Sequence, residues 1–395
     1  MSTIKTTVNP PKRLLMGPGP SPVDPRVYAA MGQPIVGHLD PYFFQISEEI
    51  RAGLQKLYGT KNEFTIVISA TGSAGMEACV ANFVEPGAKV LVFSNGFFCD
   101  RMSEMARRNG ANVVKFEKPW GTTWTDDEAR EVILKEKPAV VAYVTAETST
   151  GVINSGKAIC TAAHEVGALV IADCVTSLGT IAINVDETGI DAAFSCSQKG
   201  LGAPPGLSPI TVSARAMEWL RNRKTPIVHW YLDLKLIDEY YGAQRRYHHT
   251  APVTMFYAVR EALAIVEEEG IEARFERHRQ NRDAFVAGIE AMGLKMLVED
   301  GKRLPPLQTP LLPEGITDAA IRKHLMEGDG IEILGGFGQL AGKILRIGIM
   351  GYGSRRENVL LLLDRLEKAF KAEGFAVKGS AVAAAESQYA AAPVR

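Results

Sequence analysis

One lysine of this chain stands in a setting that suits covalent chemistry. Lys199 follows a short apolar strand-like run, Ala192–Ser195, and precedes a loop rich in glycine and proline that ends at Gly206. Burying an ammonium ion is costly unless the ion is paired or neutralised. Lys199 is therefore either a surface residue at the start of a loop or a reactive amine, and the flanking sequence favours the amine.

An acid accompanies this amine. The apolar run Ala168–Ala172 is followed by Asp173, which lies 26 residues before Lys199. An amine and an acid at neighbouring strand ends suit a cofactor with a carbonyl at one end and a basic ring nitrogen at the other, such as pyridoxal 5'-phosphate (PLP). Lys199 would form the Schiff base and act as general acid/base. Asp173, unless it is simply a turn residue, would keep the ring nitrogen protonated.

Two further segments have residue types that bind anions. Thr71, Gly72 and Ser73 follow a strand and open a helix, where backbone N–H groups and the helix dipole favour a phosphate. A plain capped helix start is the alternative there. Arg346 lies in the apolar run Leu345–Gly351. It is either part of a structural ion pair or a bidentate clamp for a substrate α-carboxylate, and we favour the clamp.

The elements that must position these residues alternate regularly along the chain. Apolar strand-like runs alternate with segments of helical period, which predicts an α/β fold with a mostly parallel seven-stranded sheet covered by helices. Ligands of such sheets bind at the carboxyl ends of the strands. The predicted strands are Thr65–Ser69, Lys89–Phe93, Asn112–Phe116, Ala139–Thr145, Ala168–Ala172, Ala192–Ser195 and Pro209–Val212, and the predicted helices between them are 73–84, 98–109, 126–136 and 155–166.

We predict two domains and two terminal segments. A long helical region at 254–292, a strand near 294–299, a helix near 317–328 and a strand at Ile344–Ile349 indicate a smaller α+β domain after the large one. The predicted divisions are an extended segment at 1–20, a large PLP-binding α/β domain at 21–255, a small C-terminal α+β domain at 256–378 and a disordered, alanine-rich tail at 379–395.

Composition excludes several classes of function. The 395 residues carry a net charge of −1, with 44 basic and 45 acidic side chains, so neither nucleic acid nor an anionic membrane is an expected partner. Five cysteines without a C-x-x-C pair indicate a reducing compartment and no zinc site, and the histidines show no metal-ligand spacing. Without a long apolar run or an apolar leader, we expect a cytoplasmic protein.

One segment nearly matches a nucleotide-binding motif but does not predict a nucleotide site. Gly151–Ala158 fits the P-loop pattern except at its last position, where alanine has no hydroxyl for Mg²⁺. The chain also has no G-x-G-x-x-G after its first strand, so a dinucleotide site is equally weak.

Taken together, the motifs resemble those of the class V (fold-type I) PLP-dependent aminotransferases, in particular the alanine–glyoxylate and serine–glyoxylate aminotransferases. They run in order over nearly the whole chain, and the set is far more specific than any member. The matching segments are Gly17–Ser21, Ile35–His38, Ala70–Ser73, Ser94–Gly96, Glu147–Gly151, Ala172–Gly179, Ser195–Lys199, Ala203–Gly206, Tyr247–Pro252 and Leu345–Gly348.

The resemblance implies a set of contacts to the cofactor ring. Lys199 corresponds to the Schiff-base lysine, Gln198 to its neighbour on the cofactor, and Asp173 to the pyridinium partner. Phe98 corresponds to the aromatic residue that stacks on the ring. This position is often Trp in relatives. Thr148 corresponds to a polar residue near the phenolic oxygen of the cofactor.

The resemblance also implies the phosphate, substrate and subunit contacts. The segment Thr71–Ser73 corresponds to the phosphate loop, although its last position is His in some relatives. Arg346 resembles the carboxylate clamp, and Gly37 is expected at the substrate. Tyr247 and Thr250 match residues that reach the phosphate from a neighbouring subunit, which implies a homodimer with shared active sites.

The predicted activity is a ping-pong transamination by a Schiff-base mechanism. A small L-amino acid, alanine or serine, would donate its amino group to glyoxylate, giving glycine and a 2-oxo acid. Alternatives are the same fold with ureidoglycine, pyridoxamine, aspartate or an aminophosphonate as donor, or a non-catalytic subunit that keeps the fold. Cysteine desulfuration is disfavoured because Gln198, rather than His, precedes Lys199.

Overall fold

The computed structural model describes residues 8–391, and its secondary structure alternates as the sequence predicts. The strands of this part are β1 (Leu14–Leu15), β2 (Phe64–Ile68), β3 (Lys89–Ser94), β4 (Asn112–Glu117), β5 (Val140–Val144), β6 (Ala146–Glu147), β7 (Val152–Ile153), β8 (Leu169–Asp173), β9 (Ala192–Phe194), β10 (Ser208–Val212), β11 (Leu307–Gln308), β12 (Ile331–Glu332), β13 (Leu334–Gly335) and β14 (Leu345–Gly348).

Helices connect these strands and cover both faces of the main sheet. The α-helices are α1 (Pro25–Met31), α2 (Pro41–Tyr58), α3 (Gly72–Phe83), α4 (Phe97–Arg108), α5 (Asp126–Glu136), α6 (Lys157–Glu165), α7 (Val185–Thr188), α8 (Ala214–Asn222), α9 (Leu234–Tyr241), α10 (Val253–Glu269), α11 (Ile271–Ala291), α12 (Asp318–Asp329), α13 (Arg356–Ala372) and α14 (Ala381–Ala391). Short 3₁₀ turns occur at Trp230–Leu232, Gly338–Leu340 and Gly351–Gly353.

The main sheet has seven strands in the order β2-β10-β9-β8-β5-β3-β4. The seven predicted strands are confirmed, with boundaries that agree within one residue. All neighbours pair in parallel except β10, which runs antiparallel to β2 and to β9. The chain passes from β9 to β10 through a loop without a crossover helix, and such a connection produces an antiparallel pair. Lys199 lies in this loop.

Burial explains why the central strands are apolar throughout. Every residue of β5 and of β8 is buried, because helices cover both faces of the sheet. Only the polar side chain at the carboxyl end of β8, Asp173, interrupts the apolar run. In residues 8–391, no helix is long and apolar enough to cross a bilayer.

The packing places the boundary between the two cores later than predicted. The predicted helical region 254–292 is two helices, α10 and α11, separated by Gly270, whose φ of 85° favours glycine. Phe256, Val259 and Leu263 of α10 belong to the first hydrophobic core, together with the main sheet. After α10, the first residue that belongs to the second core is Ala284, within α11. The first core therefore continues past the boundary predicted at 255/256, because helical period does not reveal which core a helix joins.

The N-terminal segment belongs to the small domain. In the predicted extended segment 1–20, β1 pairs in parallel with β12, and Met16 is fully buried in the second core. Residues 1–7 of that segment lie outside the described part. The strand predicted near 294–299 is reduced to an isolated bridge between Met296 and Pro310.

The alanine-rich tail is helical where we predicted disorder. Helix α14 packs on α11 and α13, and its Ala381 and Ala385 are fully buried. Gly288 of α11 permits this close approach, since a Cβ there would lie 2.9 Å from the Ala381 carbonyl oxygen. Alanine is both the best helix former and small enough for such contact. The prediction of disorder rested on the alanine-rich composition and does not hold for residues 381–391; residues 392–395 lie outside the described part.

This packing predicts unequal effects of two neighbouring substitutions. Ala385→Glu places a carboxylate in the second core and should lower the free energy of unfolding by about 2 to 4 kcal/mol. Ala383→Glu, on the exposed side of the same helix, should leave it nearly unchanged. Urea denaturation of both variants checks the difference. Equal effects would show that α14 does not pack as described.

Candidate active site

A cavity of about 250 Å³ collects most of the predicted site residues at the carboxyl end of the main sheet. Pro18 and Gly19 of the N-terminal segment and Leu334 and Phe337 of the small domain complete its wall, so both domains contribute to it. The predicted residues that line the cavity are Thr71, Gly72, Ser73, Phe98, Thr148, Asp173, Gln198, Lys199 and Arg346.

Lys199 is a buried amine held by two hydroxyl groups. Its Nζ lies 2.8 Å from Thr148 Oγ1 and 2.8 Å from Thr176 Oγ1, and these two hydroxyls also hydrogen-bond each other. Within residues 8–391, no carboxylate lies within ion-pair distance of this amine. Burial lowers the pKa of Lys199 below its usual value, although Cys196 and Asp173 oppose this. A buried, unpaired amine has the features of a nucleophile.

Asp173 presents an incompletely satisfied carboxylate to the same cavity. Its Oδ1 accepts a hydrogen bond of 2.8 Å from the Val175 N–H, whereas no described group donates to Oδ2. Burial, together with the nearby Glu147, raises the pKa of Asp173 from 3.8 to about 7, although the Val175 N–H and Lys199 oppose the shift. A cationic N–H in the cavity would reverse this shift, as expected for a carboxylate that binds a protonated ring nitrogen.

The start of α3 forms a part of the cavity wall that suits an anion. Thr71 is the N-cap residue but makes no side-chain capping hydrogen bond, so first-turn N–H groups remain available to an anion. Gly72 is required here because a Cβ would lie 2.9 Å from the Cys196 Cβ. The Ser73 hydroxyl accepts a hydrogen bond of 3.1 Å from Arg101 Nη1.

Arg346, on β14, contributes a cation to the cavity wall. Its side chain is 2 % exposed, its Nε donates to the Gly335 carbonyl at 2.7 Å, and its guanidinium lies 3.8 Å from the Phe337 ring centroid. Burial lowers the pKa of Arg346 to about 10, while Glu147 opposes the shift. No carboxylate of residues 8–391 forms an ion pair with it, so the alternative of a structural ion pair has no support in this part.

Gln198 supplies an independent indication that a ligand belongs in this cavity. Its Oε1 is buried and has no hydrogen-bond partner among the described residues. A buried, unsatisfied acceptor is costly in a native structure. The unpaired atoms of Gln198, Asp173 and the α3 start together fit a polar group with a hydrogen-bond donor and a phosphate.

Three predicted residues lie outside the cavity of the single chain. Tyr247 and Thr250 are exposed, and Gly37 is exposed beside His38, whose ring centroid is 5.3 Å from that of Tyr247. Gly37 and Tyr247 therefore lie near each other at the surface, on either side of His38.

Sequence reasoning missed the residues that hold Phe98 in place at the start of α4. Helix α4 begins after Gly96, which has no side chain to cap it, and Glu147 and Ser149 do so from another part of the chain. Glu147 Oε2 accepts from the Phe98 N–H at 3.2 Å, and Ser149 Oγ accepts from the Phe97 N–H at 3.0 Å. Burial raises the pKa of Glu147. The sequence did offer an indication of their role, because Glu147–Ser149 is a polar segment after a predicted strand and belongs to the Glu147–Gly151 motif of the family resemblance.

Two more residues at the site, one in contact with Lys199 and one in the cavity wall, were not predicted. Thr176 binds Lys199, and it lies within the Ala172–Gly179 motif that drew attention only to Asp173. Arg101 lines the cavity and lies one helical turn after Phe98, a spacing that places both side chains on one side of α4.

The fold and the cavity together define a PLP-dependent transferase of fold type I, and the comparisons with known proteins agree. The aminotransferase class-V family matches residues 25–354, and the chain belongs to this family. It is an aminotransferase, and its cofactor is pyridoxal phosphate.

Relatives of known activity cover most of the chain. The (S)-ureidoglycine–glyoxylate transaminase of Bacillus subtilis is 42 % identical, over 90 % of this chain and 90 % of its own length. The alanine–glyoxylate aminotransferase of Callithrix jacchus is 38 % identical, over 91 % and 88 %. The crystal structure of alanine–glyoxylate aminotransferase from Nostoc sp. is 44 % identical and superposes with a TM-score of 0.92, covering 93 % of this chain and 97 % of that one.

The environment of Asp173 predicts a pH-dependent stability in the cofactor-free protein. Because its pKa rises from 3.8 to about 7 on folding, its contribution is complete below about pH 4 and is lost as pH rises towards about 7. Asp173→Asn cannot ionise, so its free energy of unfolding relative to wild type should increase across that window and then level off. Denaturant titrations at several pH values measure this. The exposed Asp127→Asn is the control and should show no such trend; a flat difference for Asp173→Asn would contradict the assignment.

Proposed function

We propose that this protein transfers the amino group of a small L-amino acid, alanine or serine, to glyoxylate, giving glycine and a 2-oxo acid. The observation that carries the proposal is Arg346, a buried arginine without an acidic partner among the described residues, in the same cavity as Lys199. A planar guanidinium matches a carboxylate bidentately. An α-carboxylate held there would bring the donor amine and Cα towards Lys199.

The size of the cavity favours a small donor. Its volume of about 250 Å³ must accommodate the cofactor as well as the substrate. The side chain of the donor is therefore confined between Phe337 and the cofactor position. Glyoxylate as acceptor is supported by the names of relatives of both kinds, alanine–glyoxylate and ureidoglycine–glyoxylate.

Each cavity residue has a task in this proposal. The bound cofactor supplies an electron sink for the bond broken at the substrate Cα. Lys199 moves the proton to and from Cα, and the hydroxyls of Thr148 and Thr176 orient its Nζ. Asp173 holds the proton on the ring nitrogen. Phe98, positioned by Glu147, limits the movement of the ring.

A second donor is favoured by one observation. The Bacillus subtilis relative, 42 % identical, is named for (S)-ureidoglycine, which also carries one carboxylate for Arg346. Ureidoglycine and alanine differ in the group beyond Cα, so the two donors compete for the same clamp. Aspartate, with a second carboxylate, would require a second cation beside the substrate.

A donor panel tests the proposal. The protein loaded with cofactor, given glyoxylate and equal concentrations of alanine, serine, ureidoglycine or aspartate, should show its highest kcat/KM with alanine or serine, measured as glycine formed. Arg346→Gln should raise KM for that donor about tenfold or more, with Arg346→Lys in between. If ureidoglycine alone is used, the second donor is correct. If no donor reacts while Lys199 still binds the cofactor covalently, the proposal fails and a non-catalytic role gains support.

We further propose that the protein is a homodimer whose active sites are shared. In support, Tyr247 and Thr250 are exposed outside the cavity although the family resemblance assigns them to the phosphate. Large side chains are also exposed nearby in the sequence, Trp230 at 60 % and Val228 at 84 %. Exposed apolar side chains commonly mark an interface where they form a contiguous patch.

Mixing two inactive variants tests this sharing. A Lys199→Ala chain keeps its Tyr247 and Thr250, and a Tyr247→Ala/Thr250→Ala chain keeps its Lys199. If subunits exchange in an equal mixture, half of the dimers are mixed and each has one intact site, so about a quarter of the wild-type activity should return. Either variant alone is the control. Light scattering that shows monomers, or mixtures without recovered activity despite exchange, would refute a shared site.

A further inference from the structure

Arg101 is a half-buried cation in the active-site cavity that the function proposed above does not use. It lies on α4, and its Nη1 donates to the Ser73 hydroxyl at 3.1 Å. Its guanidinium is 4.8 Å from the Phe98 ring centroid and 5.3 Å from that of Phe97. The guanidinium is therefore held beside the start of α3 and the ring-stacking position.

The ion pairs of α4 set Arg101 apart from its neighbours. Arg107 and Arg108 both pair with Glu104, and the adjacent Asp100 pairs with Lys115. Arg101 makes no ion pair with any carboxylate in residues 8–391. A partly desolvated arginine that lines a cavity without an internal anion has the properties of a ligand-binding group.

We propose that Arg101 binds the phosphate of the cofactor together with Ser73 and the first N–H groups of α3. Its hydrogen bond to Ser73 places the guanidinium at the end of the cavity that the α3 start makes attractive to an anion. Ser73 carries no charge, so Arg101 supplies the positive charge that balances the phosphate. Hydrogen bonds between guanidinium and phosphate are among the stronger ones in proteins.

A second carboxylate of the substrate is the competing ligand for this cation. Arg101 also contacts Phe97, whose ring centroid is 4.9 Å from that of Phe337, the ring beneath Arg346. The two arginines are thus separated by an aromatic pair. The direct hydrogen bond of Arg101 is to Ser73 and not to this pair, so we assign it to the phosphate.

Binding of two forms of the cofactor tests the assignment without measuring turnover. Equilibrium dialysis of cofactor-free protein gives dissociation constants for PLP and for pyridoxal, which lacks the phosphate. Arg101→Gln should raise the constant for PLP about tenfold to a hundredfold, the range for one hydrogen bond to a charged group, and leave that for pyridoxal within about twofold. Arg101→Lys should lie in between. Arg108→Gln, an exposed arginine on the same helix, should change neither.

The other outcomes overturn the proposal. Equal losses for PLP and pyridoxal would show that Arg101 acts through the ring position. Unchanged binding of both, with a higher KM confined to aspartate, would assign Arg101 to a substrate carboxylate. If Arg101→Gln does not fold by circular dichroism, Arg101→Lys decides: a PLP constant equal to wild type contradicts a phosphate contact. Because cofactor binding is measured without donor or acceptor, the result is independent of the proposed amino donor.

Discussion

The structure depends on the burial of ionisable side chains at one edge of the main sheet, where they form no ion pairs with the described residues. Lys199, Asp173 and Arg346 are 6 %, 3 % and 2 % exposed, and none of them forms an ion pair with another group in residues 8–391. Such burial is unfavourable for the protein alone. The opposite pKa shifts of the acid and the amine are a measure of this cost. A ligand that carries both a phosphate and a cationic nitrogen offsets it, so cofactor binding and stability are linked.

The surrounding side chains determine where these groups point. Thr148 and Thr176 fix the amine, and Glu147 and Ser149 hold the start of α4 and with it Phe98. Gly96 is part of this arrangement, because a Cβ there would overlap the Glu147 side chain at 2.2 Å. These contacts join segments that are between 23 and 52 residues apart in sequence. The site is thus preorganised by long-range hydrogen bonds rather than by the flexible loops that carry some of its residues.

Local sequence patterns predicted the sheet and the chemically distinctive side chains, and they failed where long-range packing decides. The seven strands follow from apolar runs, and Lys199 and Asp173 follow from charge at strand ends. The domain boundary could not be predicted, since the apolar side of α10 would suit either core. Alanine composition does not distinguish a disordered tail from the packed helix α14, because the difference lies in Gly288 of a distant helix.

The position of Arg346 relative to Lys199 depends on how the two domains are joined. Arg346 stands on β14, whose antiparallel pairing with β13 places it opposite Leu334 in the cavity wall. Two hydrogen bonds hold the loop of Lys199, one from the N-terminal segment and one from α11. Ser21 donates to the Lys199 carbonyl at 2.8 Å, and the buried Arg274 of α11 donates to the Gly200 carbonyl at 2.5 Å. Since α11 passes from the first core into the second, a shift of the small domain would be transmitted to the lysine loop as well as to Arg346. Lys199 and Arg346 are therefore positioned by one connected set of contacts, which favours a fixed distance between the amine and the guanidinium.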